Sequence, residues 1–337
     1  MSHTVPLIRA AALFPMLRWM IANGRPVEQR LRAVDLGYFP MDDLDRPIPL
    51  LNAAAFFREA GQQEGPDIGV RVVSSLSVFD LAMLGKVALG THTPHDALLR
   101  VVAVLPRHCT HEVITVVRQN STILVREGWS LDFDDETLHI IHQFFVAMVC
   151  SLLEMTRNGK SRPSRIEMLP HPSVGLDHLR PWFGNSLHPT ATRSVNILID
   201  QSIADLPFHR VGRNRMVGKP PADWRQLRGD GSLAESIRTV LTLMLENGVT
   251  PTIDRLTVAA GLSRRTLQRR LLKEGTSFSA LFDDVRRNAA LKQLGQGLPR
   301  LNDLSASLGY SQQSILSRAV RRWTGNPPSY ISSKGWR

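Results

Sequence analysis

The hydrophobic positions change period several times along the chain, and each change marks an element. Glu112-Val-Ile-Thr-Val-Val-Arg118 and Ser121-Thr-Ile-Leu-Val-Arg126 are rich in β-branched residues and meet at Gln119-Asn120, which predicts a β-hairpin. Residues 164–168 and 194–199 are further strand candidates. Helical spacing predicts helices over 50–61, over 94–105 with Thr93 as N-cap and Pro94 in the first turn, and over 136–157. Residues 1–206 therefore read as an α+β domain. In the last hundred residues the apolar period is helical throughout. Leu233, Ile237, Val240, Leu241, Met244 and Leu245 open this part as one amphipathic stripe.

This C-terminal part is built twice. Ile253-x-x-Leu256-Thr257-x-x-Ala260-Gly261-Leu262-Ser263 recurs 48 positions later as Leu301-x-x-Leu304-Ser305-x-x-Leu308-Gly309-Tyr310-Ser311. Each copy starts with apolar residues at i, i+3 and i+7 and reaches a Gly, which supplies the left-handed backbone of a tight turn. A Ser comes two residues later, placed to N-cap the next helix. The pattern is helix, turn, helix. In the second helices the apolar marks are Leu267 and Leu271, then Leu316 and Val320, now 49 positions apart, so one extra residue enters after the second turn. Between the copies, residues 277–295 read as a connecting helix striped by Phe278, Leu281, Phe282, Val285 and Leu294. Such a helix spans roughly 27 Å. It could hold two reading helices about one DNA turn, ~34 Å, apart.

Charge changes the picture. The 337 residues carry a net charge of +11. Residues 1–206 have 19 Lys and Arg against 21 Asp and Glu, residues 207–231 have 6 against 2, and residues 232–337 have 16 against 7. All of the excess lies in the last two stretches, which points to a polyanionic partner, nucleic acid before an anionic membrane surface. The segment 207–231 is rich in Gly, Pro and Arg and reads as a basic linker. With 43% hydrophobic and 21% charged residues the chain is globular, and two cysteines, Cys109 and Cys150, exclude a disulfide scaffold and a four-cysteine zinc site. The longest apolar stretch, 138–155, is broken by His139, His142, Gln143 and Glu154, and Arg18 interrupts the opening segment. Neither a membrane span nor an export signal is expected, and the reading is cytoplasmic.

Gly261-Leu-Ser-Arg-Arg-Thr-Leu-Gln-Arg-Arg-Leu-Leu-Lys-Glu-Gly-Thr-Ser-Phe278 resembles the first reading unit of the AraC/XylS family of bacterial transcription regulators. Leu308-Gly-Tyr-Ser-Gln-Gln-Ser-Ile-Leu-Ser-Arg-Ala-Val-Arg-Arg-Trp-Thr-Gly-Asn-Pro-Pro-Ser-Tyr330 resembles that family's second unit and closing signature. The resemblance covers about residues 233–332. It departs from the usual pattern at Thr257, Ser305, Ile315, Val320 and Ile331. It implies an all-α C-terminal domain with two helix-turn-helix motifs, about 252–274 and 300–323, joined by the long helix 277–295. Base-facing roles then fall on Arg264, Arg265, Gln268 and Arg269 in the first motif and on Gln313, Ser314, Ser317 and Arg318 in the second. Arg, Gln and Ser suit this task, because they hydrogen-bond to base edges and phosphates in a groove wide enough for a helix.

From Pro49-Leu-Leu-Asn-Ala-Ala-Ala-Phe-Phe-Arg58 through Gly69 to about residue 200, the chain resembles the arabinose-binding-type sensor domain of one branch of that family. The resemblance implies a DNA-binding regulator, an activator by the habit of the family. Its partners would be double-stranded promoter DNA, RNA polymerase, a small-molecule effector held in the N-terminal domain, and a second copy in a homodimer. No residue pattern marks the effector pocket. Two alternatives stay open: a ligand-independent dimeric DNA-binding protein, and a small-molecule enzyme with an accessory nucleic-acid module. The sequence holds no phosphate loop, nucleophile elbow or HExxH, so no catalytic residue is expected.

His92-x-x-His95 and His108-Cys109-x-His111 offer metal-ligand chemistry, but a helix starting at Pro94 would hold the pairs roughly 20 Å apart. No metal or cofactor is expected. His139 and His142 read as satisfied core or cavity-lining side chains. Asp132-x-Asp134-Asp135-Glu136 suits a helix start and lacks calcium-loop spacing. Leu138, Ile141, Phe145, Met148, Leu152 and Met155 form either a dimer seam or part of the core, with Ile140, Phe144, Val146 and Val149 favouring the core.

Overall fold

The structure is a computed structural model that describes residues 4–156, 161–209, 224–296 and 300–334. It divides into two units. One comprises Pro6–Leu36 and Pro40–Leu227; the other comprises Met1–Val5, Gly37–Phe39 and Arg228–Arg337. The first is α+β and the second all-α among the described residues.

In the first unit, strands β1 (Leu7–Arg9) and β2 (Pro47–Pro49) form a small antiparallel pair. The main sheet contains β3 (Glu112–Gln119), β4 (Thr122–Trp129), β5 (Arg165–Met168), β6 (Leu187–Pro189) and β7 (Val195–Asp200). Its order is β3-β4-β7-β5-β6, antiparallel except for the parallel β5–β6 edge. The predicted hairpin is present, turning at Asn120, whose φ of 52° is a left-handed conformation that Asn tolerates. Its register sets Ile114 opposite Glu127 and Glu112 opposite Trp129. Along β4, alternation sends Ile123, Val125 and Glu127 inward, so a carboxylate occupies a core position.

The helix Asp135–Glu154 packs into this core. Asp134 caps it by accepting from the Thr137 amide (2.9 Å) and hydroxyl (2.7 Å), so the acidic run serves as a helix start. It is long and apolar enough to cross a membrane, yet 83% of an 18-residue apolar stretch within it is buried inside the fold. Leu138, Ile141, Met148 and Leu152 are buried with Ile140, Val146 and Val149, and Phe145 and Met155 are half-buried against the same core, so the stripe packs into the domain. The helix Pro94–Val104 starts as expected, with the Thr93 hydroxyl accepting from the Asp96 amide.

Most of the segment read as a linker, 210–223, lies outside the described residues. Its flanks are narrower than the sequence implied. At one end the Phe208 amide donates to the His92 carbonyl (3.0 Å), and at the other Trp224 packs against Met83 and Val87. The Leu227 amide donates to the Pro106 carbonyl, so residues 224–227 belong to the first unit. A buried indole and backbone hydrogen bonds override the loop-like composition of this stretch.

Candidate functional site

The second unit builds its first helix-turn-helix from local signals. Thr252 caps the helix Ile253–Ala260, and Gly261 ends it in the left-handed region at φ 62°. Ser263 then caps the helix Arg264–Lys273 by accepting from the Thr266 amide (3.3 Å). Leu267 and Leu271 are fully buried, while Arg264, Arg265, Gln268 and Arg269 are all exposed around the rest of the helix. Arg264 lies 3.6 Å from Asp254, a weak exposed pair that a phosphate could replace.

The second helix-turn-helix repeats the plan with one difference. The helix Leu301–Ser307 ends at a turn with Gly309 at φ 70°, and the helix Gln313–Thr324 comes next. Ser311 does not cap it as the sequence implied; Gln312 holds the N-cap position and makes no side-chain cap bond. The extra residue moves the helix start one place on, so the Ser stops short of it. Leu316 and Val320 are fully buried; Gln313, Ser314 and Arg318 are exposed and Ser317 is half-buried. At 49 positions' offset these four stand where Arg264, Arg265, Gln268 and Arg269 stand in the first helix. The family departures are accommodated unevenly. Val320 and Ile331 join the core, whereas the buried Ser305 hydroxyl has no hydrogen-bond partner.

Three side chains that sequence reasoning passed over hold these motifs in place. Arg286, on the connecting helix Phe278–Gly295, donates to the Leu308 carbonyl (2.8 Å) and the Gly309 carbonyl (2.9 Å). Its guanidinium also lies over the rings of Phe282 (3.9 Å) and Tyr310 (4.3 Å), clamping the second turn to the connecting helix. One turn earlier, Asp283 accepts from Arg322 (2.7 Å) and from the Trp323 indole (2.9 Å), tying down the second reading helix. Glu274, just past the first reading helix, accepts from the Leu233 and Ala234 amides at the start of the helix Leu233–Glu246. Asp283 and Arg286, three residues apart on one helix, were the available sign of such a brace.

The first unit holds a partly open cavity of about 150 Å³. Its walls are apolar, with Leu13, Phe57, Leu98, Ile141, Phe144 and Met148 among them, and its polar groups are His108, Glu112, Glu127 and Trp129. Glu127 is fully buried, and neither of its oxygens has a hydrogen-bond partner. Its nearest cationic candidate, His142 Nε2, stands 3.5 Å away, and both ring nitrogens of His142 are also without partners. His142 is therefore buried but not satisfied, contrary to expectation, because its carboxylate neighbour stops short of bonding distance. Burial, then His139 and Arg193, hold His142 down to about 3, so its ring is neutral. Burial, then Glu112, push the Glu127 carboxyl well above its usual range, and burial raises Glu112 to about 7. Trp129 lies close enough to favour a charged Glu127, although its indole nitrogen makes no hydrogen bond of good geometry. The alternations Glu112-x-Ile114 and Ile123-x-Val125-x-Glu127 were the signal for both inward carboxylates.

His139 is satisfied, with Nδ1 donating to the Leu169 carbonyl (2.7 Å) and Nε2 3.1 Å from His178 Nε2. His171 stands beside this pair, its ring 5.4 Å from that of His139. No group of three or more His, Cys, Asp or Glu among the described residues is placed to hold a metal ion. His95 instead pairs with Asp205 (3.4 Å), while His108 and Cys109 are buried.

Residues 256–332 match the family described as "Helix-turn-helix domain". Over 98% of its length the chain is 24% identical to the HTH-type transcriptional regulator VirS of Mycobacterium tuberculosis, covering 97% of that protein. It is 25% identical over 318 residues to the HTH-type transcriptional regulator VqsM of Pseudomonas aeruginosa, covering 89% of this chain and 93% of that one. The crystal structure of the transcriptional regulator CdpR from Pseudomonas aeruginosa matches with a TM-score of 0.41 and 15% identity, over 95% of this chain and 96% of that one. These relatives are named as regulators of transcription, not as enzymes.

Proposed function

We propose that this chain, a transcription regulator whose C-terminal domain is of the AraC-type helix-turn-helix family, reads promoter DNA with both of its reading helices and is switched by a small molecule received in its N-terminal unit. The observation that carries the reading is the matched pair of outward faces. Arg264, Arg265, Gln268 and Arg269 on one helix correspond at a constant offset to Gln313, Ser314, Ser317 and Arg318 on the other, and a single connecting helix joins the two motifs. In this reading those side chains contact base edges, and the surrounding Lys and Arg neutralise phosphates, so that affinity falls steeply with salt.

The chain works in the cytoplasm at the nucleoid, and activation through contact with RNA polymerase is the sign that the family resemblance carries. The N-terminal cavity supports the effector role, since a concave, mostly apolar space with a few polar groups is the usual form of a small-molecule site. The effector acts by binding one arrangement of the regulator better than another. Homodimerisation falls to a surface other than the helix Asp135–Glu154, which the core consumes. Selection of DNA fragments from a random pool by the purified protein tests the reading. Enrichment of two short motifs about 10 base pairs apart is expected. Retention of DNA without any enriched sequence would overturn it.

A further inference from the structure

We propose that the cavity of the first unit receives a compact apolar amine, with Glu127 and Glu112 taking its ammonium group and the surrounding aliphatic and aromatic side chains taking its body. The inference rests on the reading of this unit as an effector receiver and names the class of effector.

Size limits the body. An engineered cavity of roughly 150 Å³ is large enough for benzene, and this one has about that volume. A sugar would leave hydroxyls unpaired against Leu13, Phe57 and Met148. Charge limits the head. No Lys or Arg lines the cavity, so a carboxylate or phosphate would be desolvated without a counter-charge. The two glutamates are diagonal neighbours across β3 and β4, roughly 7 Å apart at the backbone, and both line the space.

Glu127 is the more telling of the two. It is a fully buried carboxylate on the inward face of β4, and both of its oxygens lack donors. A carboxylate held this way, with a neutral imidazole 3.5 Å off, favours a ligand that brings both donors and positive charge. An ammonium brings three donors and one charge; a hydroxyl brings one donor and none. Burial raises the proton affinity of both glutamates, and an arriving ammonium supplies the positive charge that a proton would otherwise supply.

The test uses the full-length protein and four probes of one size: benzylamine, benzyl alcohol, toluene and benzoate. Binding is read by calorimetry and by the shift in melting temperature, without DNA, for the native chain, Glu127→Gln and Glu112→Gln. Gln preserves shape and removes charge, and two variants guard against misfolding of either one. Benzylamine is expected to bind the native chain most tightly, and to lose roughly ten-fold or more in affinity in Glu127→Gln while toluene is unchanged. Equal binding of toluene and benzylamine, a preference for benzoate, benzylamine affinity indifferent to both substitutions, or no binding of the amine would each overturn the proposal. A parallel titration against promoter DNA separates the two claims. Glu127-dependent amine binding that leaves DNA affinity untouched upholds the site and counts against its regulatory use.

Discussion

At the four matched positions the first helix presents three guanidinium groups, on Arg264, Arg265 and Arg269, around Gln268; the second presents one, on Arg318, beside Gln313, Ser314 and Ser317, and carries its other exposed arginines, Arg321 and Arg322, in its last turn. Their backbones share one plan, and their supports differ as much as their chemistry. The first is self-contained: Gly261 turns it and Ser263 caps it. The second lacks a side-chain cap and is braced from outside by Arg286 and Asp283 of the connecting helix. A duplicated motif can thus divide its labour. On the proposed reading, the first half brings more charge to its base-facing positions and the second more neutral hydrogen-bonding groups, with its position fixed by the connecting helix.

The brace offers the largest effect. Arg286→Ala removes two charge-assisted hydrogen bonds and the contacts with Phe282 and Tyr310, and should lower stability by about 2–4 kcal/mol in urea unfolding. A loss under about 0.5 kcal/mol, the size of an ordinary surface substitution, would mean that the second half stands without it.

Next comes the asymmetry in readout. Arg265→Ala should weaken binding to the cognate site by about 1–3 kcal/mol in fluorescence anisotropy. Ser314→Ala, at the corresponding place, should cost about 0.5–1.5 kcal/mol. Only the arginine variant should flatten the dependence of affinity on salt if Arg265 also neutralises a phosphate. The reverse order of losses would exchange the roles assigned to the two halves.

A smaller effect separates Ser305 from Thr257. The Ser305 hydroxyl is buried without a partner, whereas the Thr257 hydroxyl donates to the Asp254 carbonyl (2.6 Å). Ser305→Ala should raise stability by about 1 kcal/mol, and Thr257→Ala should not. Thermal unfolding of both variants checks the sign. The caps give the finest contrast: Ser263→Ala should destabilise by about 1 kcal/mol, and Gln312→Ala should leave the melting temperature unchanged.

The legible part of the sequence obeys the physics of local pattern. Turn glycines, caps and apolar spacing are short-range signals, so the helices of the second unit up to Thr324, the hairpin and the long core helix were visible as residues in a row, whereas the closing helix Pro328–Lys334 was not. Non-local features escaped. Arg286 meets Leu308 and Gly309 more than twenty positions away, and no spacing rule joins them. Ser311 was misread for a local reason, since one inserted residue after the turn separates it from the helix it would cap. Glu127 was hidden in plain view. The strand read from the sequence stops at Arg126, one residue short of Glu127, and a carboxylate at an inward position is rare. Trp224 shows the opposite error, a loop-like composition overridden by one buried indole.

Methylation protection of guanines on the selected DNA measures the pairing of the two halves most directly. Two protected major-groove segments about 10 base pairs apart on one face of the duplex are expected. The segment assigned to the second helix should fade in a chain carrying Gln313→Ala, Ser314→Ala and Arg318→Ala together, while the one assigned to Arg265 persists. A single protected segment, or two on opposite faces, would contradict the account.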